Sequence, residues 1–214
     1  MRVLVVAATS FEVESLKSEI LSQKKTQDSG LKASDLELLI TGVGMVATAF
    51  ALGKHLATNQ YDLAINLGIA GSFDRSIALG EVVEVVEEHF SELGAEDDEE
   101  FLSIGELGFG EADFKPSARL YDYSITDTRQ VSAITVNTVH GNNVSIKKLT
   151  DRIQPQLESM EGAAFFYACK QAGVRCMQIR AVSNYVEKRN RDTWQIGSAI
   201  KNLNTFAVDL LKGL

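Results

Sequence analysis

Short runs of Val, Ile, Leu and Ala recur along the chain, separated by stretches with helical spacing, and this alternation most constrains the fold. "RVLVVAA" (2–8), "LELLIT" (36–41), "DLAINLG" (62–68), "EVVEVVEEHF" (81–90), "AITVNTV" (133–139) and "VRCMQIRAV" (174–182) read as strands. "FEVESLKSEILSQ" (11–23) has helical spacing, with Phe11, Leu16 and Ile20 on one apolar face. "MVATAFALGKHLA" (45–57) predicts a mostly buried helix, and "MEGAAFFYACKQA" (160–172) a helix closed by Gly173 as C-cap. The stretch from about 191 to 212 predicts a long amphipathic helix. Strands alternating with helices imply a largely parallel sheet covered on both faces. With no repeat or Pro-rich linker in its 214 residues, the chain is expected to form one α/β domain over 1–214. Residues 91–128 are acidic and punctuated by Gly, and predict a long excursion with short strands.

Composition narrows the function classes. A formal net charge of −8 argues against non-specific binding to nucleic acid. No apolar run approaches the roughly 18 residues that span a membrane, and "VLVVAA" is too short for a signal peptide. Cys169 and Cys176 fit no metal motif or disulfide framework and read as small buried hydrophobes. His55, His89 and His140 are too scattered for a zinc site. The expectation is a cytoplasmic protein with no metal and no cofactor.

Ligands of α/β proteins bind just beyond strand ends, and five candidate stretches lie there. Glu12 follows the first strand, as a general base or as half of a capping box with Thr9 in "TSFE". "TGVGMVA" (41–47) matches a dinucleotide fingerprint weakly, and Asp62, the acidic candidate, starts its strand where the fingerprint wants it at the end. The small residues of "NLGIAGS" (66–72) make either a tight turn or a surface against which a flat ring could lie. Glu161 opens a helix, either complementing the macrodipole or accepting from a ribose diol. In "RAVSN", Arg180 needs an acceptor, and Glu12 or Glu161 would serve.

These residues together resemble the nucleoside phosphorylase and nucleosidase superfamily, from "VVAATSFEVE" to "SNYVEKRNRDTW" and most weakly over 91–128. "SMEGAA" followed by "RAVSN" carries the resemblance most specifically. The chain is most similar to the branch that hydrolyses purine N-glycosidic bonds. Within it, "TGVGMVATAFAL", "VNTVHG" and "SNYVEKRNRDTW" look most like the futalosine hydrolases, which release hypoxanthine from futalosine in a route to menaquinone. The resemblance implies a three-layer α/β/α domain with a central twisted mixed sheet, a small nucleoside substrate and a homodimer. It implies that Glu12 activates the attacking water and Arg180 orients it. Met160 would pack under the ribose and Glu161 would hold its 2′ and 3′ hydroxyls. Ala70 and Gly71 would line the base pocket, His140 would place an aromatic ring against the base, and Trp194 would stand near the 5′ substituent. Two positions depart from the nucleosidase pattern: Ile69 stands where Ser is frequent, and Asn184, beside Ser183, stands where adenine-cleaving members have an acid.

The amide at 184 has a chemical reading. Adenine is a poor anion and needs a proton as it leaves. A 6-oxopurine spreads negative charge over N7 and O6, where an amide N–H2 can donate without transferring a proton. Asn184 therefore points to a hypoxanthine-like base, although Asn can also pair with adenine. Phosphate as nucleophile would need a basic cradle, which Arg180 alone does not make, and Glu12 would repel it. The alternatives are methylthioadenosine/S-adenosylhomocysteine nucleosidase, purine nucleoside phosphorylase and a nucleoside sensor without catalysis.

Overall fold

The computed structural model describes residues 1–16, 18 and 35–214. Most of the expected helix over 11–23, Ile20 included, lies outside the described residues. Its described start is a 3-10 turn, Ser10–Val13, running into a helical stretch. Leu16 is buried there, but Phe11 is exposed, so it is not part of the core face.

Ten strands follow in chain order: β1 Val3–Ala7, β2 Leu36–Ile40, β3 Leu63–Ser72, β4 Val82–Phe90, β5 Gly94–Asp97, β6 Glu100–Ser103, β7 Asp113–Phe114, β8 Gln130–Thr135, β9 Leu157–Ser159 and β10 Cys176–Tyr185. The α-helices are α1 Met45–Leu56, α2 Asn143–Arg152, α3 Gly162–Ala172 and α4 Ile196–Gly213. The main sheet is mixed. β1 runs parallel to β2 and β3, and β3 parallel to β10, whereas β4 is antiparallel to β10 and β9 antiparallel to β3. Because β10 pairs with both β4 and β3, while β9 joins β8 to β3, five strands close into a ring from which β1 and β2 extend.

Alternation along β1 shows why the strands read as continuous apolar runs. Val3, Val5 and Ala7 enter a cluster with Ala199, Leu203 and Ala207 of α4. Leu4 and Val6 enter another with Leu52 of α1 and Phe165, Phe166 and Cys169 of α3. A strand covered on both faces has no polar side to show. Gly173 closes α3 at φ 68°, the left-handed conformation that glycine adopts without penalty.

Four expectations need correction besides Phe11. α1 is not mostly buried: only Thr48 and Leu52 are, and Val46 and Phe50 are 78% and 73% exposed. "NLGIAGS" is not a tight turn, because β3 continues through Ser72 on the support of β10 and β9. The strand expected over 133–139 begins earlier and stops at Thr135, where its pairing with β4 and β9 ends. β10 runs on to Tyr185, so Ser183 and Asn184 stand within the strand. Between β8 and β9 the chain also forms α2, whose weak apolar content hid it: only Leu149 is buried.

Candidate active site

β1 stops at Ala7 while β3 and β10 run on, and the open space beyond β1 is where the polar groups gather. Glu12 fills the gap. One carboxylate oxygen accepts from the Ile69 backbone N–H (3.2 Å), a β3 group left without a β1 partner. The other accepts from the Thr9 N–H (2.9 Å) and hydroxyl (3.1 Å). The capping box and the cleft carboxylate are thus one group. Asn204 of α4 clamps the turn, donating to the Glu12 carbonyl and accepting from the Leu16 N–H, each at 2.8 Å.

Glu161 holds the N-cap position of α3, but its side chain turns away from the helix. One of its oxygens accepts the Gly44 N–H (3.0 Å), and the other lies 3.6 Å from Arg180 Nη1. Gly42 and Gly44 adopt φ of 88° and 95°, which glycine permits. The "TGVGMVA" turn therefore presents a backbone donor to a carboxylate of its own chain. Arg180 is 1% exposed and donates through Nη2 to Asn66 Oδ1 (2.6 Å). Gly68 makes this arrangement possible, since a β-carbon there would overlap the guanidinium and stand 3.0 Å from Glu12 Oε1. Arg180, Glu12 and Glu161 are thus one charge cluster around β3. Behind it, Glu88 accepts from Thr135 (2.9 Å) and Gln178 (2.6 Å). Burial pushes its carboxyl up to about 7, against the opposing pull of the Arg180 charge and these donors.

A β-bulge falls at Ser183: Val182 pairs with Ala70 and Asn184 with Gly71, leaving Ser183 as the extra residue. Both side chains reach the cleft. The Ser183 hydroxyl lies 3.2 Å from the Ala70 carbonyl and 2.9 Å from Asn184 Oδ1, both acceptors. Asn184 Nδ2 donates to the Tyr185 carbonyl (3.1 Å). These contacts fix the amide with its oxygen toward Ser183, leaving one N–H uncommitted. Gly71 allows the close approach, for a β-carbon there would lie 3.2 Å from Nδ2.

A cavity of about 320 Å³ joins these groups, lined by Glu12, Glu161, Ser183, Asn184, His140, Met160 and Trp194 among others. Arg180, Ala70 and Gly71 are not among its lining residues, but they contact Glu161, Ser183 and Asn184 respectively, which are. His140 Nδ1 lies 2.7 Å from Glu158 Oε2, and the His140 N–H donates to Glu158 Oε1 at 3.0 Å. Burial raises the Glu158 pKa, and its hydrogen bonds and charge interaction with His140 oppose that rise. Arg189 lies over the Trp194 ring, 4.9 Å from its centroid, and lines the cavity; Arg191 is 5.8 Å from the same ring. A larger groove of about 790 Å³ runs between the β5–β6 hairpin and α2 and, among the described residues, shares only His140 with the first cavity. The smaller cavity is the active-site candidate, because the converging carboxylates and amide line it.

Sequence reasoning singled out 66–72 for its small residues but not the roles of Asn66 and Gly68, and it missed Glu158. Asn66 is a polar residue inside an apolar run, a signal that was there to find. Gly68 sits in the same run as a glycine amid β-branched and apolar neighbours, which marks a close approach. Glu158 looks like any surface carboxylate until β9 is placed.

The family model of the phosphorylase superfamily matches residues 2–212, and the chain belongs to that superfamily. It is similar to the futalosine hydrolase of Streptomyces coelicolor, 35% identical over 175 residues that cover 78% of this chain and 74% of the relative. The futalosine hydrolase of Thermus thermophilus is 32% identical over 181 residues, covering 81% and 80%. Among solved structures, the methylthioadenosine/S-adenosylhomocysteine nucleosidase of Colwellia psychrerythraea, in complex with adenine, superposes with a TM-score of 0.80 at 24% identity, covering all of this chain and 96% of its own. The fold is that of these nucleosidases. No helix among the described residues is long and apolar enough to cross a membrane.

Proposed function

We propose that the chain is a purine nucleosidase that hydrolyses futalosine, releasing hypoxanthine and dehypoxanthine futalosine in menaquinone biosynthesis. Glu12 takes a proton from water as it attacks C1′, with Arg180 helping to orient that water. Met160 packs under the ribose, Glu161 accepts from its 2′ and 3′ hydroxyls, and Asn184 donates to the purine as negative charge develops. Ala70 and Gly71 back the base pocket from beneath Ser183 and Asn184. The carrying observation is the Asn184 amide, turned with its oxygen to Ser183 and an N–H to spare. Trp194 and Arg189 supply an aromatic wall and a cation at one side of the cavity, suited to the aryl carboxylate on the 5′ carbon of futalosine. The relatives named futalosine hydrolase support the same substrate.

Exchanging the amide for an acid tests this assignment. With Asn184→Asp, an ionised carboxylate would face the lone pairs of N7 and O6 with no donor. Futalosine turnover at neutral pH is expected to fall about 10²–10³-fold, as when an oxyanion donor is removed. The kcat/KM ratio of aminofutalosine to futalosine is expected to rise at pH values where the new acid is protonated. An unchanged ratio across pH would show that Asn184 does not read the 6-position.

The reaction takes place in the cytoplasm, in a homodimer. Val46 and Phe50 stand one turn apart on the exposed side of α1, and Val43, at the start of that face, also lines the cavity. A second copy covering this face would shelter apolar surface and close the cavity mouth together. Sedimentation equilibrium of the chain is expected to give twice the monomer mass at micromolar concentration, and a monomer throughout would remove the dimer.

A further inference from the structure

The hydrolysis leaves a proton unaccounted for at the base. When the C1′–N9 bond breaks, its electron pair goes to the purine, and the water proton goes to Glu12. The Asn184 amide stabilises the purine anion but cannot protonate it. We propose that His140, held by Glu158, is the acid that protonates the departing purine; this rests on the nucleosidase reading above.

The geometry of the pair carries the inference. Glu158 accepts from the backbone N–H of His140 and lies 2.7 Å from its Nδ1, so one carboxylate holds both the main chain and the ring. Fixing Nδ1 as the donor to Glu158 leaves Nε2 as the working atom. Nε2 has no hydrogen-bond partner among the described residues, and His140 lines the cavity that Asn184 also lines. Glu158 and Asn184 approach the same place from two strands: a β-carbon on Gly71 would lie 3.5 Å from Glu158 Cγ and 3.2 Å from Asn184 Nδ2. Pair and amide thus flank one end of the cavity. The carboxylate faces Nδ1 as the hydrogen-bond acceptor, at 2.7 Å. The other charged groups lining the spaces that His140 borders include Glu92 before β5, Glu187 and Arg189 after β10, and Lys148 and Arg152 of α2.

In the step, the Nε2–H bond breaks and an N–H bond forms at purine N7, leaving neutral imidazole, while the one uncommitted Asn184 N–H donates to O6. Glu12 ends protonated. Glu12 returns its proton to solvent and His140 regains one, so the sum is one water consumed and one neutral hypoxanthine released. No oxidant, metal or co-reactant is required.

The test uses a leaving group that needs no proton. N7-methylated futalosine carries its positive charge already and departs as a neutral base. His140→Phe keeps a ring against the base and removes the acid. Its kcat on futalosine is expected to fall about 10²–10⁴-fold, while kcat on the N7-methylated substrate changes by less than about tenfold. Because both rates come from one preparation, their ratio is insensitive to partial misfolding. Glu158→Gln, which keeps an acceptor for Nδ1–H but removes the charge, should give a smaller loss with the same leaving-group preference. Equal losses on both substrates in His140→Phe would make His140 a wall only and overturn the proposal. If wild type releases no base from futalosine, the functional reading fails separately. The same ratio, measured with methylthioadenosine and its N7-methyl derivative, then decides the role of His140.

Discussion

Glu12→Gln is expected to lower futalosine turnover by about 10²–10⁴-fold, the usual cost of a lost general base, while nucleoside still binds. The carboxylate accepts from three donors: Thr9 N–H, Thr9 hydroxyl and Ile69 N–H. A Gln amide offers one oxygen where the carboxylate offered two, and its N–H2 must face either Thr9 or Ile69, donor against donor. Stability is therefore expected to fall as well, by about 1–3 kcal/mol for the unsatisfied group. Steady-state kinetics, a thermal melt and calorimetric titration with a non-hydrolysable nucleoside separate the two effects. Near-normal turnover with a lowered Tm would leave Glu12 as a cap and nothing more.

The second large effect is read from the substrate side. Glu161 is the counter-charge of a buried guanidinium, and breaking a buried pair costs about 3–5 kcal/mol. Replacing Glu161 would therefore disturb Arg180 along with the ribose. Removing the 2′ hydroxyl from the substrate leaves the protein intact. A site built to hydrogen-bond a hydroxyl rejects the analogue lacking it by about 10⁴-fold, so kcat/KM for 2′-deoxyfutalosine is expected to fall by about that factor. Equal rates on the two sugars would mean that Glu161 serves Arg180 and Gly44 alone.

What could be read in the sequence was what alternation and strand ends encode. β1 and β3 are apolar on both faces, so their runs stood out, and Glu12, Glu161 and Asn184 could be placed relative to those runs. The base end of the site was less legible. His140 stood out only through the resemblance, and its partner Glu158 lies on a three-residue strand too short to have a period. The bulge at Ser183 also defeats alternation: past Val182 the strand shifts register, and counting by twos no longer tells which side chains face the cleft. The exposure of α1 was misjudged because its composition is that of a core helix, whereas Val46 and Phe50 lie on a face that the described residues leave uncovered.

The closed ring of strands bears on the order in which this molecule can be made. Ala64 pairs with Cys176 and Gly71 with Asn184, contacts between the first and last thirds of the chain. Until β10 is synthesised, β3 has β1 on one side and an unpaired ladder on the other. Such long-range pairings are slow to form and leave apolar edges open meanwhile. The strand that finally closes the ring also brings Arg180, Ser183 and Asn184. Nascent chains lacking it have neither a sealed sheet nor a site, so the pairing that closes the sheet also brings the site's groups together.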